Sequence, residues 1–183
     1  NDNVSAKAAL TYTTYTNEGV AGIFIPGTGT GASFGTNTTA INDLKTIEIP
    51  AELTFNTSGT INYKVFGDYA FNLDGSNRKD AACAAATGLV KTAVCNAGTD
   101  DKAWMLGAGI GNVQDPKSKK STKGDWEAKL WYQSVGAYSV DPNTPDSDFM
   151  DSRLNMKGIV LKGQYNLRDN VFINLAAGHA TRK

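Results

Sequence analysis

The sequence has no long hydrophobic run. Its 183 residues have a mean hydropathy of −0.33, and no apolar stretch nears the roughly 20 residues that a membrane-crossing helix needs. A helical span is excluded on that ground. The segment beginning at Asn1 also lacks the charged and apolar regions of a signal peptide, and reads as the start of a mature or trimmed chain. Charge of one sign is missing too: 18 basic and 18 acidic residues give a formal net charge of zero. A nucleic-acid binder needs a basic excess to neutralise phosphates, so nucleic acid is not an expected partner. One histidine and two cysteines leave little for a protein-made metal site, and no metal or cofactor is expected. Leucine is scarce for a helical protein.

What is abundant points elsewhere. Nineteen glycines exceed the average share of about 7%. Thr and Asn are frequent beside seven Tyr, seven Phe and three Trp. That mixture favours strands joined by polar turns.

Period-two alternation recurs along the chain. In residues 46–55, Ile47, Ile49, Ala51, Leu53 and Phe55 oppose Glu48, Pro50, Glu52 and Thr54. The Asn56-Thr57-Ser58-Gly59 turn follows, and then Ile61, Tyr63, Val65, Tyr69 and Phe71 oppose Asn62, Lys64, Phe66, Asp68 and Asn72, which makes a hairpin. Further strands are expected at residues 102–112, 125–138, 156–167 and 171–178, and a weaker one at about 7–15. These seven strands are mostly ten residues or longer, against the typical 5–6 of globular proteins, and match the roughly 9–11 residues of a tilted membrane strand. Long and short connections alternate, as in outer-membrane barrels with short periplasmic turns and longer outer loops; the basic fourth connection is the weak member of that series. Aromatics gather towards strand ends, namely Phe55, Tyr69, Phe71, Trp104, Trp126, Tyr138 and Tyr165, as interfacial girdles require.

Mid-strand charges on the polar face, Glu48, Glu52, Lys64, Asp68, Glu127, Lys129 and Lys162, suit a wet lumen, although the solvent face of a soluble sandwich tolerates them equally. The fold expected is all-β: a portion of an antiparallel up-and-down transmembrane β-barrel, residues 1–183 forming one segment. Bacterial single-chain barrels have an even strand number, and an open edge in lipid leaves backbone groups unpaired. Seven strands therefore read as part of a larger barrel lacking its last strand.

The stretch Gly124-Asp125-Trp126 through Tyr132, followed by Asp146-Ser147-Asp148-Phe149, then Lys157-Gly158 and Asp169-Asn170, resembles the carboxy-terminal region of a family of bacterial outer-membrane porins. Upstream, Lys64 to Ala70 with Asn72-Leu73, and Ala103-Trp104 with Leu106-Gly107, are similar to two further strands of that family, in the same order. The resemblance covers residues 47–178. It implies a passive channel in the bacterial outer membrane for small hydrophilic solutes, a contact with outer-membrane lipid, possible homo-oligomers and no catalysed reaction. Family members are longer and end in an aromatic residue, which this chain lacks.

Other groupings invite alternatives. Gly27-Thr28-Gly29-Thr30-Gly31 has the glycines of a phosphate loop, but no helical pattern or Lys follows, so it reads as loop. Cys83 and Cys95, twelve apart in one long connection, are expected to pair in an oxidising compartment, with a short helix between them. Lys117, Lys119, Lys120 and Lys123 read as a solvated turn. Asp141, Asp146, Asp148 and Asp151 form an acidic loop; without the Gly and Glu of a calcium loop, Asp146, Asp148 and Asp151 are expected at a pore rim. His179 has no nucleophile beside it in sequence, so no catalytic role is expected. Mixed signs on the polar face predict weak ion selectivity. The competing reading is a secreted or cell-surface β-sandwich acting as an adhesin or filament subunit.

Overall fold

A computed structural model describes residues 3–15, 44–57, 60–86, 88–96, 98–112, 122–140, 154–169 and 171–183. Strands β1 (Val4–Ala8), β2 (Thr11–Tyr15), β3 (Leu44–Glu48), β4 (Ala51–Asn56) and β5 (Asn62–Asn72) precede helices α1 (Gly75–Ala85) and α2 (Gly88–Asn96). Strands β6 (Lys102–Gly111), β7 (Trp126–Val135), β8 (Met156–Arg168) and β9 (Val171–Arg182) follow. All nine strands belong to one sheet, in the order β1-β4-β5-β6-β7-β8-β9, with β2 on β3 and β3 on β5. Every pairing is antiparallel.

The nine segments fill seven positions across the sheet. β1 and β2 share one register against β4 and β3, from Val4 opposite Phe55 to Tyr15 opposite Leu44. β3 and β4 likewise run in one register along β5. The breaks fall beside Pro50, which has no N–H to give the ladder; its carbonyl accepts from the Ala9 N–H, and Ile49 still pairs with Tyr69. The expected strands at 7–15 and 46–55 are therefore present, each interrupted once. β1 and β9 stand at the two borders, and no pairing joins them: the sheet is an open part of a barrel.

Period-two sorting runs from β4 to β8, with Lys102 and Lys157 as charges on the apolar face near the helix end. Leu53, Val65, Leu130 and Leu161 share the apolar face and are 41–49% exposed, Leu106 is 60% exposed, and Ile173 and Leu175 are 56% and 63% exposed. No described element covers this face; Ile47 is half-buried. Two aromatic zones bound it. Phe55 opposes Tyr63 and Trp126 opposes Tyr165 near one end. Tyr69 opposes Trp104 near the other, where Trp104 meets Tyr132 with ring centroids 5.5 Å apart. Six residues separate Tyr63 from Tyr69, about 20 Å of strand.

The sheet has two different ends. At one end, short connections are tied by side chains. Thr122 donates from both its N–H and its hydroxyl to Asp125 Oδ2, each at 2.8 Å. Trp126 N–H donates to Asn112 Oδ1 at 2.7 Å and Asn112 Nδ2 to the Gly124 carbonyl at 3.0 Å. Asn166 is buried, and its backbone bonds both Gly124 and Asp125.

At the other end lie the two helices. Where one short helix was expected, there are two: α1 ends at Ala85 with Ala86 in an extended conformation, and α2 opens at Gly88, whose φ of +60 is a left-handed conformation that glycine takes without strain. Cys83 of α1 and Cys95 of α2 are bonded, their Cα atoms 4.8 Å apart. The helices pack Ala81, Ala82, Ala86 and Val94 against Ala137 and Tyr138. A second cluster joins Val135 and Leu154 to Ala103, Val140 and Met156. Ala103, Val135 and Met156 form one cross-strand row on the polar face, so Val140 and Leu154 pack over that face here.

Two sequence expectations change at this end. The strand expected to reach residue 138 stops at Val135, although Gly136 and Tyr138 still donate to the Lys102 and Asp100 carbonyls. Tyr138 is not part of an aromatic girdle; it is 2% exposed beneath the helices, because the chain turns inward after Val135.

Candidate functional site

Cross-strand register aligns the polar-face charges. Lys64 on β5 faces Gly109 on β6, which faces Lys129 on β7, which faces Lys162 on β8. Residues directly opposed in a sheet have Cβ atoms about 5 Å apart, so three ammonium groups share one band of the polar face. Glu127 stands one step nearer the short connections. Its Oε1 accepts from Lys64 Nζ at 3.2 Å and from Lys129 Nζ at 3.0 Å. One carboxylate thus serves two cations, and the trio keeps a net charge of +1. The three side chains are 23–37% exposed, which leaves their heads reachable from solvent. A shallow recess lined by Asn62, Lys64, Gly111 and Glu127 lies beside them.

The neighbouring row is aromatic. Phe66 faces Gly107, which faces Trp131, and the rings meet edge to face with centroids 6.3 Å apart. Gly107 makes that contact possible: a Cβ there would stand 2.5 Å from Trp131 Cβ and 2.7 Å from Phe66 Cζ. Trp131 Nε1 donates to Gln133 Oε1 at 2.7 Å, which fixes the indole. Lys162 Nζ lies 5.9 Å from the Trp131 ring centroid.

Glu48, Glu52 and Asp68 lie away from Lys129 and Lys162. Glu52 takes a contact from Lys7 at 3.8 Å and a hydrogen bond from Thr54. Glu48 faces Ala70, two residues along β5 from Asp68. These carboxylates belong to β3, β4 and β5, whereas Lys129 and Lys162 belong to β7 and β8. Alternation placed Glu48, Glu52, Lys64, Asp68, Glu127, Lys129 and Lys162 on one face. Register adds what spacing did not: Lys64, Lys129 and Lys162 fall in one cross-strand row that holds no carboxylate.

Two other buried groups escaped the sequence reading. Arg78 of α1 is 2% exposed, and nothing in a weakly amphipathic helix signalled it. Burial, with the nearby Asp100 carboxylate, pushes the Tyr138 hydroxyl up to about 12. Phe66 and Trp131 did leave a signal, as large rings at polar-face positions.

The remaining candidates scatter. His179 is exposed on β9, opposite Ile159. The backbone of Lys123 donates to Asp169 Oδ1 at 3.1 Å, joining the turn before β7 to the one after β8. Asp141, Asp146, Asp148 and Asp151, the lysines at 117, 119 and 120, and the loop Gly27 to Gly31 lie outside the described residues. Among the described residues, no group of three or more His, Cys, Asp or Glu side chains is placed to hold a metal, and no helix is long and apolar enough to cross a membrane.

No curated protein and no solved structure matches the chain. A family model described as "Putative porin" matches residues 37–180, well over half of the sequence and all of the sheet from β3 to the greater part of β9. The chain belongs to that putative porin family.

Proposed function

We propose that this chain forms seven strand positions of a bacterial outer-membrane barrel through which small hydrophilic solutes diffuse passively. The observation that carries the reading is the inversion of the sheet. Its apolar side chains are bare, with Leu106 60% exposed and Leu130 49%, while Lys64 and Glu127 on the opposite face are only 23% and 28% exposed. A water-soluble domain does the reverse, and a bare apolar surface this extensive calls for an apolar medium. Lipid supplies it, and the two aromatic zones meet the headgroups. The polar face with Glu48, Glu52, Lys64, Asp68, Glu127, Lys129 and Lys162 then lines the lumen. The sandwich alternative needs a second sheet against the apolar face, and all described strands lie in one sheet.

On this reading the protein catalyses no reaction and needs no cofactor; its partners are outer-membrane lipid, the diffusing solutes and, where barrels associate, further copies. Planar-bilayer recording on the intact protein tests it. Discrete ohmic conductance steps are expected, and an inserted protein that gives none counts against the proposal.

A further inference from the structure

We infer that Lys64, Lys129 and Lys162, together with Phe66 and Trp131, form a recognition strip for small organic anions that carry a flat apolar part. This deepens the channel reading and rests on it. The strip follows from register. Three ammonium groups occupy one cross-strand row, and the carboxylate in contact with them, Glu127, is shared by two. Charge of one sign concentrated in a sheltered site raises the local concentration of the opposite ion. The row beside it offers half-buried ring surface rather than further charge, with Phe66 and Trp131 in edge contact. The ring is held ready by its bond to Gln133, and Lys162 leans over its face. A solute with a carboxylate at one end and a planar hydrocarbon at the other presents both halves to adjacent rows, which strand geometry sets about 6–7 Å apart. Asp68 shares β5 with Lys64, four residues along, and Glu52 faces Phe66 from β4, but neither they nor Glu48 stand in the lysine row itself, which runs Thr54, Lys64, Gly109, Lys129, Lys162. The expectation of weak selectivity from mixed signs gives way, on this inference, to selection by a local row of one sign.

The test is bilayer recording on the intact protein under a potassium chloride gradient, followed by titration with benzoate and with acetate. The channel should prefer chloride over potassium, and benzoate should block chloride current at about fivefold lower concentration than acetate, the gain expected from one aromatic contact. Lys129→Gln should reduce the chloride preference, Lys129→Arg should restore it, and Trp131→Leu should bring benzoate to the level of acetate with the preference intact. If Lys129→Gln does not assemble, Lys162→Gln reads the same property. A protein that inserts without conducting overturns the channel reading and the strip with it. A conducting channel that shows no chloride preference, or that treats benzoate and acetate alike, overturns the strip alone.

Discussion

Single residues decide how close the strands come and what the polar face holds. Gly107 is the sharpest case. Any side chain there meets the Leu130 carbonyl and Trp131 Cβ at 2.7 and 2.5 Å. Gly107→Ala should cost about 1–3 kcal/mol by overpacking, read as a lower urea midpoint for the refolded protein in detergent micelles. Tyr138 gives a prediction in pH. Its hydroxyl is raised from an ordinary value near 10 to about 12 by burial and by Asp100, so folding favours the protonated form. Its contribution is complete below about pH 10 and is lost as pH rises through about 12. Absorbance at 295 nm should show one late ionisation coincident with loss of structure, absent in Tyr138→Phe. That residue also marks where sequence reading stops. Seen as a letter it suited a girdle, because alternation reports which side of a strand a residue occupies and not whether the strand has ended. The charges at Lys64 and Lys129 were legible as a face; their shared carboxylate was not, since register between Lys64 and Glu127, 63 positions apart, leaves no local trace.

Elements carry the strongest legible signal. Strands of 10 to 13 residues from β6 to β9 announce themselves by alternation repeated long enough to exclude chance. The Gly-Asp-Trp stretch, by contrast, is explained by its turn: Asp125 accepts from Thr122, and Trp126 donates to Asn112. Its role is to pin the short end of the sheet. The middle of the apolar face is the place to test the solvent assignment. Leu130 and Leu161 oppose one another there. Leu130→Arg should destabilise the lipid-embedded protein by about 2–4 kcal/mol, the cost of Arg at the bilayer midplane. The same change on a water-facing strand should stay within about 0.5 kcal/mol. Urea unfolding from lipid vesicles separates the two. The helix pair is a distinct unit, joined by a bond between residues twelve apart. Replacing both cysteines with alanine should cost about 3 kcal/mol. The loss should appear as faster proteolysis between Gly75 and Asn96, with the strands still protected.

For the molecule as a whole, the governing feature is an amphipathic sheet with its oily side uncovered. Family membership, the seven strand positions and the sorted faces agree with one another, and each was partly readable because each rests on short-range pattern. The lysine row was not readable, because it depends on which strands lie beside which. It predicts that Glu127→Gln, which frees both Lys64 and Lys129 from their shared partner, should increase the chloride preference of the channel, as measured by reversal potential.

The two borders of the sheet carry one more consequence. Six antiparallel steps lead from β1 to β9, so these outermost strands point the same way. Two such units laid side by side would meet along like-directed seams, unlike every joint within the unit. Where such sheets all point one way across a membrane, a ring stitched throughout in opposed directions needs an odd number of further strands between β9 of one and β1 of the next.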